Sequence, residues 1–317
     1  MKRCLYCYQP LPDKLAQDYH PACSRKLFGK PTPPAFPYTE AEMLALAEAV
    51  VRQHITVTGV QPKLSLALAL GSAAGPPLRF TIVGALSGEY ILKPPTPHYP
   101  HLPEVEDLTM HLATLAGIAT VPHGLLRLEG GALAYVTRRI DRHQGQKRHM
   151  EDMCQLTERL TEHKYDGSHE QVAKAILKYS ANPGLDVVNY YELVLLSFLT
   201  GNADMHLKNF SLLHTPGLGY GLAPAYDLVA TALVNPADTE ELALTLNGKK
   251  RRLRQADFRQ AMQRAGLEQK VITRLLARFV TARARWEAFI PSSFLPEALQ
   301  TQFYSLLARR FAQVELT

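Results

Sequence analysis

Two carboxylates and an amide set the chemistry this sequence can do. Asp204 is followed five positions later by Asn209, and Asp227 comes 18 positions after that. Asp204 stands in Gly201-Asn202-Ala203-Asp204-Met205-His206-Leu207-Lys208-Asn209-Phe210, behind the apolar run Tyr190 to Thr200; Asp227 stands in Ala225-Tyr226-Asp227-Leu228. An acid, an amide and a second acid at these distances suit phosphoryl transfer. Asp204 can orient an attacking hydroxyl. Asn209 and Asp227 offer the hard oxygen ligands that magnesium takes while it bridges nucleotide phosphates. The spacing predicts a kinase dependent on ATP and Mg2+.

Three further groups bear chemistry. Tyr90-Ile91-Leu92-Lys93 ends an apolar strand on a lysine, where the ammonium can reach the α and β phosphates, with Glu106 as its ion-pair partner. Thr56-Val57-Thr58-Gly59-Val60-Gln61-Pro62-Lys63 holds one glycine, so it is neither a G-x-G-x-x-G loop nor a Walker A. Its backbone amides could still cradle phosphates, with Lys63 adding charge, or it is an ordinary turn. Cys4, Cys7, His20 and Cys23 follow a C-x2-C-x12-H-x2-C pattern that fits a zinc knuckle, since thiolates and a neutral imidazole at such spacings can close a tetrahedron. The competing reading is reduced cysteines in a loop-rich arm.

Positioning these groups requires two kinds of element. Residues 1–37 read as an arm ending in the proline-rich linker Lys30 to Pro37, which cannot form a regular ladder. Thr39 caps a helix from Glu40 to Arg52, with Glu42 at the capping-box position. Strand periodicity follows at Leu64 to Leu70, Leu78 to Val83, Glu89 to Leu92, Leu125 to Leu128 and Leu133 to Ile140. One amphipathic helix, Glu104 to Ala116, interrupts them. Residues 38–141 thus make a small β-rich lobe. Residues 142–317 read as mainly helical, with helices at Glu151 to Leu160, Glu170 to Tyr179, Val187 to Thr200, Gln255 to Ala265, Glu268 to Phe289 and Pro296 to Val314. A hairpin, Phe210 to His214 with Tyr220 to Pro224, joins Asn209 to Asp227. The expected class is α+β, a two-lobed protein-kinase-like fold.

At 317 residues and 46% hydrophobic content, the chain can bury two cores. No apolar run of about 18 residues indicates a membrane span, and Met1-Lys2-Arg3-Cys4-Leu5 lacks the apolar region of a signal peptide, so the expected location is cytoplasmic. A net charge of +6 suits an anionic nucleotide, an acidic protein or nucleic acid without choosing among them. The run Lys249-Lys250-Arg251-Arg252-Leu253-Arg254 has no interleaved aromatics for base stacking and reads as a solvated loop.

Several segments together resemble the HipA-type serine/threonine kinase toxins of bacterial toxin-antitoxin systems. They are Gly59-Val60-Gln61-Pro62-Lys63-Leu64, Tyr90-Ile91-Leu92-Lys93-Pro94, Arg138-Arg139-Ile140-Asp141-Arg142, His149-Met150-Glu151-Asp152-Met153-Cys154-Gln155, Gly201 to Phe210, and Pro224-Ala225-Tyr226-Asp227-Leu228. They cover roughly residues 50 to 290, in family order. The resemblance implies Asp204 as catalytic base, Asn209 and Asp227 as magnesium ligands, and Lys93 as the phosphate lysine. It also implies Thr58, Gly59, Val60, Gln61 and Lys63 as the phosphate-binding loop and Arg138 and Ile140 as a hinge against adenine. His206 and Tyr226 fall in stretches that approach the nucleotide.

The family's longer members carry an extra subdomain of about a hundred residues before the loop, whereas about fifty residues precede it here. The chain is thus similar to the shorter HipT kinases. That implies a HipS-like small subunit supplying the missing part, a HipB-like antitoxin as the link to DNA, and no membrane. The implied substrate is an aminoacyl-tRNA synthetase, with the tryptophanyl enzyme as the target of HipT-like members. Thr56 and Thr58 occupy the places of the family's autophosphorylated loop serines. A phosphate there would add negative charge beside the loop that must hold ATP phosphates. The competing functions are a catalytically quiet subunit of a DNA-bound repressor complex and a small-molecule kinase of related fold.

Overall fold

A computed structural model describes residues 2–53, 62–70, 78–84, 87–143 and 145–316, without the side chains of 47–53, 70 and 143. The chain forms two compact units. One comprises Met1–Asp107, Val121–Gly145 and Ser292–Phe294; the other comprises Leu108–Thr120, Gln146–Pro291 and Leu295–Thr317.

The first unit contains α1 (Pro21–Phe28), α2 (Glu40–Gln53), β1 (Leu64–Leu70), β2 (Leu78–Val83), β3 (Tyr90–Lys93), the opening of α3 (Leu102–Leu115), β4 (His123–Arg127) and β5 (Leu133–Arg138). Its strands form one antiparallel sheet in the order β2-β1-β3-β5-β4. The alternating apolar residues of β1 select a strand, and Leu64 and Leu66 are buried. Phe28, Phe80 and Tyr90 pack edge to face and tilted on the sheet, with Phe80 and Tyr90 centroids 5.1 Å apart. Thr39 and Glu42 satisfy each other as a capping box: the Thr39 N–H donates to Glu42 Oε2 at 2.7 Å, and the Glu42 N–H donates to Thr39 Oγ1 at 3.2 Å.

The proline-rich segment does more than link. Ala35 bridges Arg79 in parallel: its N–H donates to the Leu78 carbonyl and its carbonyl accepts from the Phe80 N–H, both at 2.9 Å. Prolines on either side lack the N–H that would extend this pairing, so it stops at one residue. Phe36 is buried there against Phe80.

The second unit contains the remainder of α3, β6 (Met150–Asp152), α4 (Met153–Leu156), α5 (His169–Tyr179), α6 (Pro183–Thr200), β7 (Ser211–Thr215), β8 (Gly219–Leu222), α7 (Thr231–Val234), α8 (Gln255–Arg264), α9 (Gln269–Phe289) and α10 (Glu297–Gln313). Three of its strands form a sheet in the order β8-β7-β6. Helix α6 is buried almost all round from Tyr190 onward, as its composition requires. It starts at Pro183 rather than Val187, because proline fits a first helical turn whose N–H groups have no partner anyway. It ends on Gly201 at φ 71°, where a Cβ would lie 2.8 Å from Leu306 Cδ2. Trp286 anchors α9 by donating its indole N–H to the Leu112 carbonyl at 2.8 Å.

One expected helix is corrected. Glu151 to Leu160 does not continue as a helix: Glu151 pairs with Leu212 and Asp152 with Ser211 in the sheet, and only one helical turn follows. Glu158 at φ 55° lies beyond its end. Among the described residues no helix is long and apolar enough to cross a membrane.

Candidate active site

In the first unit, Lys93 is the last residue of β3, paired with Tyr135 of β5. The strand expected from sequence, Glu89 to Leu92, stops one residue short of it. Strand alternation turns Lys93 away from the face that buries Tyr90 and Leu92. Its Nζ meets Glu106 Oε1 of α3 at 2.5 Å, with 4% of the lysine side chain and none of the glutamate exposed. The ammonium also stands 5.4 Å from the Tyr135 ring centre. A buried ion pair of this kind holds both charges in fixed places. Arg138 closes β5 with its N–H on the Pro122 carbonyl at 2.9 Å, and Ile140 follows half-buried. Arg139 and Arg142 grip Asp141 at 2.7 and 2.6 Å. Burial opposes the charge on that carboxyl, yet the two guanidiniums hold it below its ordinary range. Lys63 is exposed just before β1.

In the second unit, the segment after Gly201 carries Asp204, exposed, with its N–H on Asn202 Oδ1 at 3.2 Å. The Tyr165 hydroxyl donates to Asp204 Oδ1 at 2.6 Å. The neighbouring Lys164 carbonyl accepts from the Leu207 N–H at 3.0 Å, so the Tyr165 loop is tied to this segment at two points. Burial, then the Asp204 hydrogen bond, push the Tyr165 phenol well up, so it stays a donor. The His206 ring meets Tyr165 edge to face at 5.1 Å. Burial lowers His206 to about 4 against the opposing pull of Asp204, leaving the imidazole neutral near pH 7.

The same unit brings Asn209 and Asp227 onto one frame. Tyr226 donates its hydroxyl to the Lys208 carbonyl at 3.1 Å; that proton being used, Ser211 Oγ donates to Tyr226 at 2.5 Å. The residue before Asp227 is therefore fastened to both flanks of Asn209. Asp227 takes φ 59°, a left-handed conformation that aspartate tolerates better than most side chains. Thr231 accepts the Ala203 N–H at 2.9 Å and donates to the Gly201 carbonyl at 3.2 Å, closing the frame behind Asp204. From the other side, Lys208 pairs with Asp152 at 2.6 Å, and Asp152 is locked by a reciprocal capping box with Gln155.

These donors fit magnesium. Asn209 is 4% exposed, and its side-chain oxygen is buried without a hydrogen-bond partner among the described residues. Together with the Asp227 carboxylate it would offer oxygen donors only, the chemistry a hard divalent cation takes. Thr56, Thr58, Gly59, Val60 and Gln61 lie outside the described residues. Tyr165 escapes sequence reading: it sits in an irregular stretch, and nothing local marks it as the partner of a residue 39 positions away.

The family model described as HipA-like C-terminal domain matches residues 55–286. A provisionally named kinase of Sinorhizobium fredii is 30% identical over 63% of this chain and 52% of its own length. Another provisionally named kinase, from Haemophilus influenzae, is 27% identical over 83% of this chain and 82% of its own. The chain thus spans about half the length of the Sinorhizobium relative. Among solved structures, HipA of Shewanella oneidensis MR-1, in complex with HipB and its operator DNA, superposes with a TM-score of 0.66. It is 24% identical, over 84% of this chain and 70% of that one. This likeness shows a shared fold.

Proposed function

The chain belongs to the HipA-like C-terminal domain family, and on that premise we propose that it is an ATP- and magnesium-dependent serine/threonine protein kinase of a toxin-antitoxin system. One arrangement carries the reading: Asp204, held by Tyr165, precedes by five residues an Asn209 whose side-chain oxygen is buried and unbonded among the described residues. A structural loop has no need of an exposed, oriented carboxylate and, five residues on, a buried amide oxygen with no bond among the described residues.

Asp204 then orients the substrate hydroxyl and takes its proton as the oxygen attacks the γ-phosphoryl group. Asn209 and Asp227 would hold magnesium, which when bound offsets phosphate charge. Lys93, held in place by Glu106, serves the α and β phosphates. Neutral His206 and the Tyr226 frame fix the segment without adding charge. Arg138 and Ile140 serve the adenine side. The loop from Thr58 to Lys63 would cradle phosphates, with Thr56 and Thr58 as autophosphorylation sites that expel nucleotide once modified.

The relation to the Shewanella protein, solved with HipB and DNA, supports a HipB-like antitoxin as partner, with DNA reached through it. On the resemblance to HipT kinases, a HipS-like subunit is the further partner proposed, and the substrate class that follows is an aminoacyl-tRNA synthetase. The test is phosphopeptide mapping after the purified chain, labelled ATP and Mg2+ are added to a bacterial lysate. We expect label on a synthetase and on Thr56 or Thr58. A folded chain that labels nothing, itself included, defeats the reading.

A further inference from the structure

Outside the residues given to phosphoryl transfer, Cys4, Cys7, His20 and Cys23 bring one ligand atom each to a common point, all within 4.8 Å of one another. They come from two places. Cys4 and Cys7 sit on a tight turn in which the Cys4 N–H donates to the Gln9 carbonyl and the Tyr8 N–H to the Cys4 carbonyl, both at 2.9 Å. His20 precedes α1 and Cys23 lies in its first turn, begun by Pro21. Cys7 Sγ is 3.5 Å and Cys23 Sγ 3.9 Å from His20 Nδ1. A tetrahedral zinc with bonds of about 2.0–2.3 Å has ligand atoms about 3.5–3.8 Å apart, so these spacings are nearly those of a filled site.

The histidine supplies a second observation. His20 Nε2 lies 3.1 Å from the Pro10 carbonyl. A carbonyl can only accept, so Nε2 carries the ring proton and Nδ1 presents its lone pair to the sulfurs. A backbone carbonyl on the far nitrogen is the usual device that orients a metal-binding imidazole. The four cysteines of the chain are free thiols, and a disulfide would leave this histidine orientation without a purpose.

We propose that the chain holds one structural Zn2+ on Cys4, Cys7, His20 and Cys23. Three thiols release their protons to solvent as the metal binds, with no change of oxidation state. Four protein ligands close the coordination shell, so the site is structural and takes no substrate. Its work lies in the first unit. The metal ties the turn to α1, and these two pieces grip the sheet: the Leu5 carbonyl accepts from the Leu125 N–H at 2.9 Å, and the Leu27 carbonyl accepts from the Tyr90 hydroxyl at 3.2 Å. Gly124 admits the turn, since a Cβ there would stand 3.2 Å from the Leu5 carbonyl oxygen. The Tyr8 hydroxyl, at the end of the turn, donates to Asp107 at 2.7 Å, one residue beyond Glu106.

The test is elemental analysis of the full chain purified without chelator, followed by replacement with cobalt(II). The expected results are about one zinc per chain and a cobalt derivative showing the intense visible bands of a tetrahedral site with a thiolate charge-transfer band. Cys7→Ser and Cys23→Ser should lose the metal, and Cys154→Ser should keep it. Should the variants fail to fold, the wild-type cobalt spectrum decides alone. Folded wild type without stoichiometric metal, a weak octahedral cobalt spectrum, iron in place of zinc, or a Cys7–Cys23 disulfide by mass spectrometry would each overturn the proposal.

Discussion

The Tyr165 hydroxyl donates a 2.6 Å hydrogen bond to Asp204 Oδ1, fixing the carboxylate proposed as catalytic base by a residue 39 positions earlier in the chain. Removing that bond by Tyr165→Phe frees the carboxylate to rotate while leaving its charge. A hydrogen bond to a charged group is worth about 1.5–3 kcal/mol, so kcat should fall by roughly tenfold or more. KM for ATP should hold steady. Steady-state kinetics on a folded variant check this; an unchanged kcat would mean that Asp204 needs no such support.

The Lys93–Glu106 pair makes a separate prediction about stability. Lys93→Met removes the cation that faces a buried carboxylate and should cost about 3–5 kcal/mol in urea unfolding. Adding Glu106→Leu should recover much of that loss, because an apolar pair of similar volume tolerates the same burial. Nucleotide binding should stay lost in the double variant. A double variant no more stable than the single one would contradict the ion-pair account.

How legible these features were depends on how local their signals are. The alternation of β1 and β2 is contained in the strands themselves, so both boundaries agree with the sequence reading. Asp204, Asn209 and Asp227 were singled out by their spacing alone, and what the fold adds is the Tyr226 hydrogen bonds that tie the residue before Asp227 to the neighbours of Asn209. Glu151 to Leu160 misled because helical periodicity there competes with pairing to Leu212 and Ser211, partners 59 or more positions away that no local pattern reveals. Asp152 and Gln155 form a capping box three residues apart, whereas the pairing of Lys208 with Asp152 exists only in the folded chain. Tyr165 belongs with Lys208: an ordinary polar residue given meaning by its distant neighbour.

Acid should weaken the fold through buried histidines. Burial lowers His169 to about 3 and His206 to about 4, below the ordinary 6.5 that the unfolded chain regains. Between these values the unfolded chain binds more protons, so the histidine contribution is level above about pH 6.5 and falls as the pH drops toward 3. For fully buried His169, which shares a 2.6 Å hydrogen bond with Tyr190, the loss is on the order of 4 kcal/mol by pH 3. Urea unfolding across pH 7 to 4.5 should show this slope, and His169→Gln should flatten it; an equal slope in the variant would refute the assignment.

Gly201 joins α6 to the segment carrying Asp204. Its φ of 71°, and a Leu306 Cδ2 that would stand 2.8 Å from any Cβ placed there, leave no room for a side chain. Gly201→Ala should lower stability by about 1–3 kcal/mol, read as a fall in Tm. A variant as stable as the parent would show that the helix end can relax.

The central claim is phosphoryl transfer by Asp204, and the direct measurement is transfer of label from γ-labelled ATP with Mg2+ by purified wild type and by Asp204→Asn. Both must first be shown to be folded by circular dichroism. Wild type should become labelled on threonine, and the variant should lose at least a hundredfold in rate, within the range that general-base groups contribute. Equal labelling by the two proteins, or none by folded wild type, would contradict the account.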